Sequence, residues 1–155
     1  MQQHQAKVRH AHLLDLLPIA SLAERYAGEV TTMTNHPLCA TTLMEGLAAT
    51  ILSDDGYVSV LEVNGKIVGG FWGILTNQPW SATKFAQDVI IVVDKAHRNG
   101  SGLMLIRHWI KWAKEKGAKE VYLSTASGIE TQRFTKLAER MGFTSVGVGY
   151  RKEIA

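Results

Sequence analysis

The chain has 155 residues, of which 46% are apolar and 20% are charged, and its formal net charge is +3. This composition is typical of a globular protein and excludes a disordered chain, because enough apolar surface is present to build a core. The small positive charge suits an anionic small ligand, and it is too weak to predict a nucleic acid partner. The length predicts a single domain over residues 1–155.

The number of cysteines and the distribution of apolar residues indicate the cellular compartment of the protein. Cys39 is the one cysteine in the sequence, so no disulfide can form within the chain, and a reducing cytoplasm is the expected compartment. The first seven residues are polar and lack the apolar core of a signal peptide. No apolar run approaches the roughly 20 residues that cross a bilayer. We therefore expect a soluble cytoplasmic protein without a membrane partner.

The first half of the chain predicts a short strand, two helices and a hairpin. Residues 6–10 are a candidate strand, and Asp15 is a suitable N-cap for the helix that follows it. Apolar residues at helical spacing predict a second helix over residues 40–52. Two β-rich segments then flank Asn64-Gly65, which is the preferred two-residue hairpin turn.

The second half predicts alternating strands and helices. Residues 85–93 predict a strand, and its continuously apolar end, Val89–Val93, indicates burial on both faces. Hairpins followed by a strand–helix–strand unit predict a mixed sheet with helices on both faces. Four further elements are predicted: a helix over 101–116, a strand over 120–125, a helix over 130–141, and one or two final strands over 143–152.

A basic, glycine-rich turn joins the apolar strand to the next helix. Residues 97–102 have the sequence His-Arg-Asn-Gly-Ser-Gly. Glycines let backbone N–H groups approach a ligand, and the start of a helix offers free N–H donors and a positive dipole end. Arg98 adds a full positive charge. The segment predicts an anion-binding loop, and the alternative is a turn with only a structural role.

Three common glycine motifs do not fit this turn. A P-loop requires Lys and Ser or Thr after its last glycine, whereas Leu103 and Met104 follow here. A dinucleotide fingerprint requires a third glycine where the chain has Leu105. A hydrolase nucleophile elbow requires glycine two residues before Ser101, and that residue is Asn99.

The turn and the order of elements resemble those of the GCN5-related N-acetyltransferase (GNAT) family, which has Gln/Arg-x-x-Gly-x-Gly between its fourth strand and third helix. The family's Gln/Arg position falls on His97 when counted back from Gly100, or on Arg98 if the loop is one residue shorter. The resemblance covers nearly the whole chain. It implies an α/β fold with a mixed, mostly antiparallel twisted sheet of six to seven strands and helices on both faces.

The resemblance also implies a binding site for acetyl-CoA, the acetyl donor, in a V-shaped opening between the fourth and fifth strands. Thr131 lies where the family tends to have an Asn that contacts the cofactor, although helix capping explains this residue equally well. The family pattern places the pantetheine arm on the backbone of Ile91, Val92 and Val93, and the diphosphate on the amides of Arg98, Asn99, Gly100, Ser101, Gly102 and Leu103.

In the family the acceptor amine attacks the thioester directly, so catalysis depends on positioning and on proton transfer. A primary alkylamine is protonated at neutral pH, and a base must accept its proton. The family often uses a carboxylate on the fourth strand, and Asp88 is the only acid between Glu62 and Asp94. Asp88 is therefore the predicted base, with an ordinary surface carboxylate as the alternative. Gln87 points to the opposite face.

The family commonly protonates the leaving thiolate with a tyrosine at the position that Ala138 occupies here. Tyr150 and Tyr26 are the candidate replacements, and the alternative for both is an ordinary core or rim aromatic. Tyr26 and His36 are also candidates for the acceptor pocket, since the family builds that pocket from this part of the chain. An exposed loop histidine is the alternative for His36.

The predicted activity is acetyl transfer from acetyl-CoA to a primary amine of a small molecule or peptide. The alternative is a catalytically impaired GNAT-like protein that binds acetyl-CoA or acts as a scaffold. The histidines and Cys39 do not form a metal-binding set, so no metal is expected. Trp109 and Trp112 cannot both lie on the same helix face as Arg107 throughout, which predicts that one of them is exposed at a homodimer contact.

Overall fold

The computed structural model of the protein describes residues 5–29, 32–98, 100–124 and 131–154. Asn99, a predicted loop residue, lies outside the described residues, as do the predicted ends of two elements at Thr125 and Glu130.

The described elements follow the predicted order up to residue 140 with one addition, a four-residue helix at Thr32–Asn35 between the first and second predicted helices. Single 3-10 turns at Leu13–Asp15 and Lys95–His97 precede the helices that begin at Leu16 and Ser101. None of the described helices is long and apolar enough to cross a membrane. The strands are β1 (Ala6–His10), β2 (Gly56–Val63), β3 (Lys66–Asn77), β4 (Lys84–Val93) and β5 (Glu120–Tyr122), and the helices are α1 (Leu16–Ala27), α2 (Thr32–Asn35), α3 (Ala40–Ile51), α4 (Ser101–Glu115) and α5 (Thr131–Arg140).

The sheet is mixed, and its strands lie in chain order from β1 to β5. The first three pairings are antiparallel, and β5 lies parallel to β4, as the predicted strand–helix–strand unit requires. The prediction of six to seven strands is wrong, since the described residues form five. The difference lies at residues 143–152, whose alternating pattern predicts strands but which pair with no described strand.

The hairpin between β2 and β3 has the geometry that its sequence predicts. Asn64 and Gly65 have φ angles of 52° and 77°, so both adopt the left-handed conformation of a type I′ turn. Val63 and Lys66 are the paired residues on either side of the turn. This turn fixes the register of the two central strands, which form the core of the sheet.

Helices cover both faces of the sheet, as predicted. On one face, α1 and α3 pack on Val58 and Val60 of β2. On the other face, α4 buries Trp109 against Phe71 of β3, with ring centroids 4.7 Å apart. Residues 134–143, in and just after α5, add only partly buried side chains to that second cluster, and α5 itself has no buried residue. The C-terminal part of the protein is therefore its least covered region.

The prediction that Trp109 or Trp112 is exposed at a dimer contact is wrong. Trp109 is fully buried and Trp112 is only 6% exposed. Trp109 and Trp112 are three residues apart and share the buried face of α4. Gly73 lets the Trp109 indole approach the backbone of β3. A Cβ at Gly73 would lie 2.9 Å from Trp109 Nε1.

The start of α1 is held by an ion-pair cluster in place of the predicted side-chain cap. Both guanidinium N–H groups of Arg9 donate to Asp15, at 2.7 and 2.9 Å, and Arg9 also donates to Glu62. The Arg9 guanidinium holds the pKa of the Asp15 carboxyl below its ordinary value. Asp15 Oδ2 accepts the backbone N–H of His12, so Asp15 joins β1, β2 and α1 without capping the helix.

Candidate functional site

The strands β4 and β5 separate after a short paired segment. Three residue pairs join them, and the last is Gln87 with Tyr122. From Asp88 to Val93 no described residue pairs with β4 on that side, while its other edge continues along β3. The backbone donors and acceptors of this open edge need partners, because unpaired backbone groups are costly when water is excluded. An extended ligand fits such an edge.

A β-bulge lies where the opening begins. Trp72 pairs with Ile90 and Gly73 pairs with Asp88, so Val89 is an extra residue in β4. A bulge bends its strand and increases the local twist. Val89 is 48% exposed, so the prediction of a strand end buried on both faces is wrong at this residue. An isolated glycine in a predicted strand, such as Gly73, is the signal from which the bulge could have been predicted.

Asp88 lies at the start of the opening and is linked across it to the residues after β5. Its Oδ2 atom accepts hydrogen bonds from the Ser124 backbone N–H at 3.2 Å and from the Ser124 hydroxyl at 3.3 Å. Burial raises the pKa of Asp88, and the two bonds from Ser124 oppose that rise. A carboxylate with a raised pKa is a stronger proton acceptor.

Ser124 is a residue of this site that sequence analysis missed. It lies two residues beyond the last residue of β5, and serine at a strand end carries no specific signal for function. Only the divergence of the two strands brings it to Asp88. Gln87, the neighbour of Asp88, is exposed and points to the other face, as predicted.

Beyond Asp88 the side chains of β4 pack into the apolar clusters on both faces of the sheet. Val92 packs with Leu22 and Tyr26 of α1, and Ile91 and Val93 pack in the cluster of α4. The strand is thus fixed on both faces while one backbone edge stays open. The structure brings Tyr26 to this strand as a buried residue, 6% exposed, packed against Val92.

The glycine-rich turn lies at the end of β4, as predicted, and opens α4. Gly100 has φ 77° and precedes the first residue of the helix, Ser101, whose hydroxyl donates to the carbonyl of His97. Apart from the chain neighbours and the backbone of the helix itself, no heavy atom of a described residue lies within 4 Å of a Cβ built on Gly100 or on Gly102. The amides of Ser101, Gly102 and Leu103, in the first turn of a 15-residue helix, have no acceptor within the helix. The turn is open and offers N–H donors.

The Arg98 side chain is bound within the protein. Its Nε donates to the Val93 carbonyl at 3.0 Å, and a terminal guanidinium nitrogen donates to Glu29 at 2.9 Å. These bonds tie the turn to the end of β4 and to the end of α1. Its neighbour His97 lies 4.0 Å from Asp94. Arg98 therefore holds the shape of the loop, and part of its charge is balanced by Glu29.

None of the remaining described candidates for catalysis, for the acceptor pocket or for the start of α5 is hydrogen-bonded to Asp88. Tyr150 is 94% exposed, and His36 is exposed in the loop between α2 and α3. Neither makes a hydrogen bond with another described residue. Thr131 is the first described residue of α5, and its carbonyl accepts the Thr135 hydroxyl at 2.8 Å. Within the described ranges no group of three metal-ligating side chains occurs.

Comparison with solved structures shows the same fold in enzymes that transfer acetyl groups. A ribosomal-protein-alanine N-acetyltransferase from Brucella melitensis biovar Abortus 2308 is 20% identical, has a TM-score of 0.75, and aligns over 97% of this chain and 100% of its own. An aminoglycoside acetyltransferase from an uncultured soil metagenomic sample, in complex with sisomicin, is 22% identical, with a TM-score of 0.71 and coverage of 96% and 97%.

A third similar structure, from Bacillus halodurans C-125, is described as a transcriptional regulator. It is 19% identical, with a TM-score of 0.78 and coverage of 97% of this chain and 100% of its own. No curated protein sequence matches the chain. The model of the acetyltransferase (GNAT) family matches residues 21–143, which include β4, the glycine-rich turn and α4. The match spans well over half of the sequence, and the chain therefore belongs to the GNAT acetyltransferase family.

Proposed function

We propose that the protein transfers the acetyl group of acetyl-CoA to the primary amine of a small molecule, and that Asp88 accepts the proton of that amine. The observation that carries the proposal is the position of Asp88. It lies at the first residue of the open edge of β4, on the strand that leads into the open, donor-rich turn at Gly100.

The residues present fit acetyl-CoA. The left-handed Gly100 and the free amides at the start of α4 suit a diphosphate, and the empty space beside Gly100 and Gly102 leaves room for one. Apart from the Val93 carbonyl, which Arg98 Nε already holds, the open backbone edge at Ile91–Val93 offers donors and acceptors to an amide-containing pantetheine arm. Bound acetyl-CoA would supply the thioester. Arg98 acts here through the shape of the loop.

Asp88 is suited to the proton transfer that the amine needs. The ammonium group first gives one proton to Asp88, directly or through water. The free amine then forms its bond to the acetyl carbon as the carbon–sulfur bond breaks, and the second proton of the nitrogen passes through water to the thiolate. The raised pKa of Asp88 favours the first transfer, and Ser124 fixes the orientation of its carboxylate. No described side chain near Asp88 is assigned to the thiolate, which a proton from water neutralises.

The proposed acceptor class is a small-molecule amine. Two similar structures are aminoglycoside acetyltransferases, one bound to sisomicin and one, AAC(6')-Iy, to a bisubstrate analogue of CoA and acetylneamine. The first two residues of β4 after its last pair with β5 are Asp88 and the exposed Val89, a combination that suits a cationic amine on a partly apolar carrier.

The test is an acetyl-transfer assay against a panel of amines, with released thiol and product mass as readouts. Asp88→Asn is expected to lower kcat/KM by about 10²- to 10⁴-fold while leaving the acetyl-CoA Kd unchanged. Asp54→Asn, at an exposed turn acid, is the matched control and keeps wild-type rates.

Two results would contradict the proposal, each in a different way. Wild-type rates in Asp88→Asn would remove Asp88 as the base. Tight acetyl-CoA binding without transfer to any amine would favour the alternative of an impaired, acetyl-CoA-binding scaffold.

A further inference from the structure

The charge of the protein is distributed unevenly along its sequence. Residues 101–140, which contain α4, β5 and α5, have eight lysine and arginine residues and four acidic residues, a balance of +4. The rest of the chain has nine of the former and ten of the latter, a balance of −1. The small net charge of +3 therefore conceals one strongly basic segment.

The two faces of the sheet consequently differ in charge. The apolar side chains of α4 and α5 pack in one cluster on one face. Residues 16–52, which form α1, α2 and α3, contain one arginine and three glutamates and cover the other face. We call the solvent side of α4, of the turn after it and of α5 the α4–α5 face. Three of its exposed cations belong to α5, and the other five are Arg107, Lys111, Lys114, Lys116 and Lys119.

Three of these cations form a row along α4. Arg107, Lys111 and Lys114 are spaced by four and three residues, so they lie on one side of the helix, opposite the buried Trp109. The row is about 10 Å long, from the rise of an α-helix. Like charges at this spacing destabilise a helix, and Glu115 is the one acid in α4. Helix stability therefore does not explain the row.

The row is not neutralised by the described part of the chain. Arg107, Lys111 and Lys114 form no ion pair with any residue that the structure describes. Arg9 and Arg98, which lie elsewhere, instead bind carboxylates of the protein at 2.7 and 2.9 Å. The positive charge of the row is thus available to an anion outside the chain.

The composition of the α4–α5 face distinguishes between classes of anionic partner. Among the described residues of α4 and α5 no large apolar side chain is exposed, and Trp109 and Trp112 are buried. A helix that lies on a membrane inserts an apolar side, and protein interfaces have an apolar or aromatic centre. Interfaces with nucleic acids are instead polar and strongly positive. The face therefore suits a phosphate backbone.

A DNA duplex fits this face better than a single strand or an RNA duplex. Proteins that bind single strands stack the bases on exposed aromatic side chains, which the described part of this face lacks. RNA duplexes are recognised through 2′-hydroxyl groups as well as phosphates, whereas α4 exposes only charged side chains. Double-stranded DNA carries one charge per about 1.7 Å of its axis, so a segment as long as the row carries about six.

We propose that the α4–α5 face binds double-stranded DNA through the phosphate backbone, without contacts to base edges. The row on α4 makes the central contacts, and the cations of the following turn and of α5 flank it. Binding of this kind is independent of sequence and falls steeply with salt, because cations of the protein release counterions from the DNA. The row begins after Leu103, the last residue assigned to the diphosphate, so the proposal does not rest on acetyl transfer.

The test is fluorescence anisotropy of a labelled DNA duplex of mixed sequence, titrated with the full chain at several salt concentrations. A micromolar Kd is expected at low salt, and log Kd is expected to rise by about 3–5 per tenfold increase in salt. The triple variant Arg107→Gln, Lys111→Gln and Lys114→Gln is expected to bind at least about 30-fold more weakly and to lower that slope by about 3. Glutamine favours a helix, so the circular dichroism spectrum should not change.

A second triple variant controls for net charge. Lys7→Gln, Arg25→Gln and Lys66→Gln remove the same charge from exposed positions outside the α4–α5 face. Because these positions do not contact the DNA, the affinity is expected to stay within about threefold of the wild type.

Three outcomes would overturn the inference. Absence of binding by the wild type at the lowest salt would mean that the face is not a DNA surface. Equal losses of affinity in the two triple variants would mean that net charge alone attracts the DNA. Tighter binding to a single strand, to an RNA duplex or to phosphatidylserine vesicles than to the DNA duplex would identify a different partner. The titrations contain no acetyl-CoA, so none of these results depends on the proposed activity.

Discussion

The two halves of β4 differ in one respect that determines where a ligand can bind. Both halves pair with β3 along one edge. Phe85–Gln87 also pairs with β5 on the other edge, whereas Asp88–Val93 has no described partner there. The first half is ordinary sheet, and the second half combines fixed side chains with a free backbone edge. The comparison shows that the site is created by a missing strand pairing.

A β-bulge, a close contact at a glycine and side-chain hydrogen bonds mark the two ends of the open half of β4. The bulge at Val89 changes the direction of the strand, and Gly73 opposite it leaves room for Trp109. Asp88 and Ser124 bridge the gap at its first residue, and Arg98 closes the far end by bonding to the Val93 carbonyl. Each of these contacts can be removed to test how the open half is maintained.

The largest effect on stability is expected from Gly73→Val. A Cβ there would lie 2.9 Å from Trp109 Nε1 and 3.2 Å from the Gln87 carbonyl oxygen. Overpacking of this kind costs about 1–3 kcal/mol of unfolding free energy, which urea titration measures. Gly102→Ala is the control, because no heavy atom lies near its Cβ and alanine favours a helix. A Gly73→Val midpoint equal to that of the wild type would show that the boundary does not need this close contact.

A smaller loss, about 1 kcal/mol, is expected from Arg98→Lys. Lysine keeps the charge but cannot hold the Val93 carbonyl and Glu29 at once with a planar fork. Glu29→Gln is expected to remove part of the same coupling, so a double-mutant cycle should give non-additive unfolding free energies. Additive values would show that the bonds to Val93 and Glu29 do not stabilise the turn jointly.

Ser124→Ala is expected to change the pH profile of the reaction with little effect on stability. The Ser124 hydroxyl favours the charged carboxylate, so its removal raises the pKa of Asp88 further. A base must be deprotonated, and the acid limb of kcat/KM should therefore move to higher pH. Ser124→Thr keeps a hydroxyl and is expected to retain the wild-type limb. An unchanged limb in the alanine variant would separate Ser124 from the reaction.

The smallest effect is expected on the pH dependence of stability, through His108 of α4. The Tyr57 hydroxyl and His108 Nδ1 lie 2.6 Å apart. Burial lowers the pKa of His108 from its ordinary value of 6.5, and the charge of His10 lowers it by a smaller amount. Below pH 6.5 His108 is protonated in the unfolded chain but still neutral in the folded chain. The free energy of unfolding should therefore fall as the pH falls from 6.5 through the pKa of His108 in the folded chain. His108→Gln should flatten this part of the unfolding free-energy profile. An unaltered profile would assign the slope to other groups.

Local signals in the sequence were sufficient for most of the fold. Asn64-Gly65 defined a hairpin because its φ preference is intrinsic, and Gly100 indicated an open turn for the same reason. Non-local features were not predictable in this way. Ser124 reaches Asp88 only because two strands diverge, and the Asp15 carboxylate binds Arg9 because β1 brings that guanidinium to the helix start.

The C-terminal strands were predicted from a pattern that is present but has no partner in the described sheet. Alternation at Val146, Val148 and Tyr150 reports which side of a segment prefers burial, and carries no information about which surface covers it. The exposed side chains of this segment therefore show that a strand-like pattern alone does not place a segment in the sheet.

The most direct test that the open half of β4 and the turn at Gly100 form the acetyl-CoA site is a calorimetric titration. Acetyl-CoA is titrated into the wild-type protein, Gly100→Asp and Gly100→Asn. Gly100 adopts a left-handed conformation that Asn and Asp tolerate alike, so the pair differs mainly in charge. Micromolar binding by the wild type is expected, with a loss of about 100-fold in Gly100→Asp and a much smaller loss in Gly100→Asn. No binding at millimolar acetyl-CoA, or equal affinities in all three proteins, would contradict the assignment of this turn to the diphosphate.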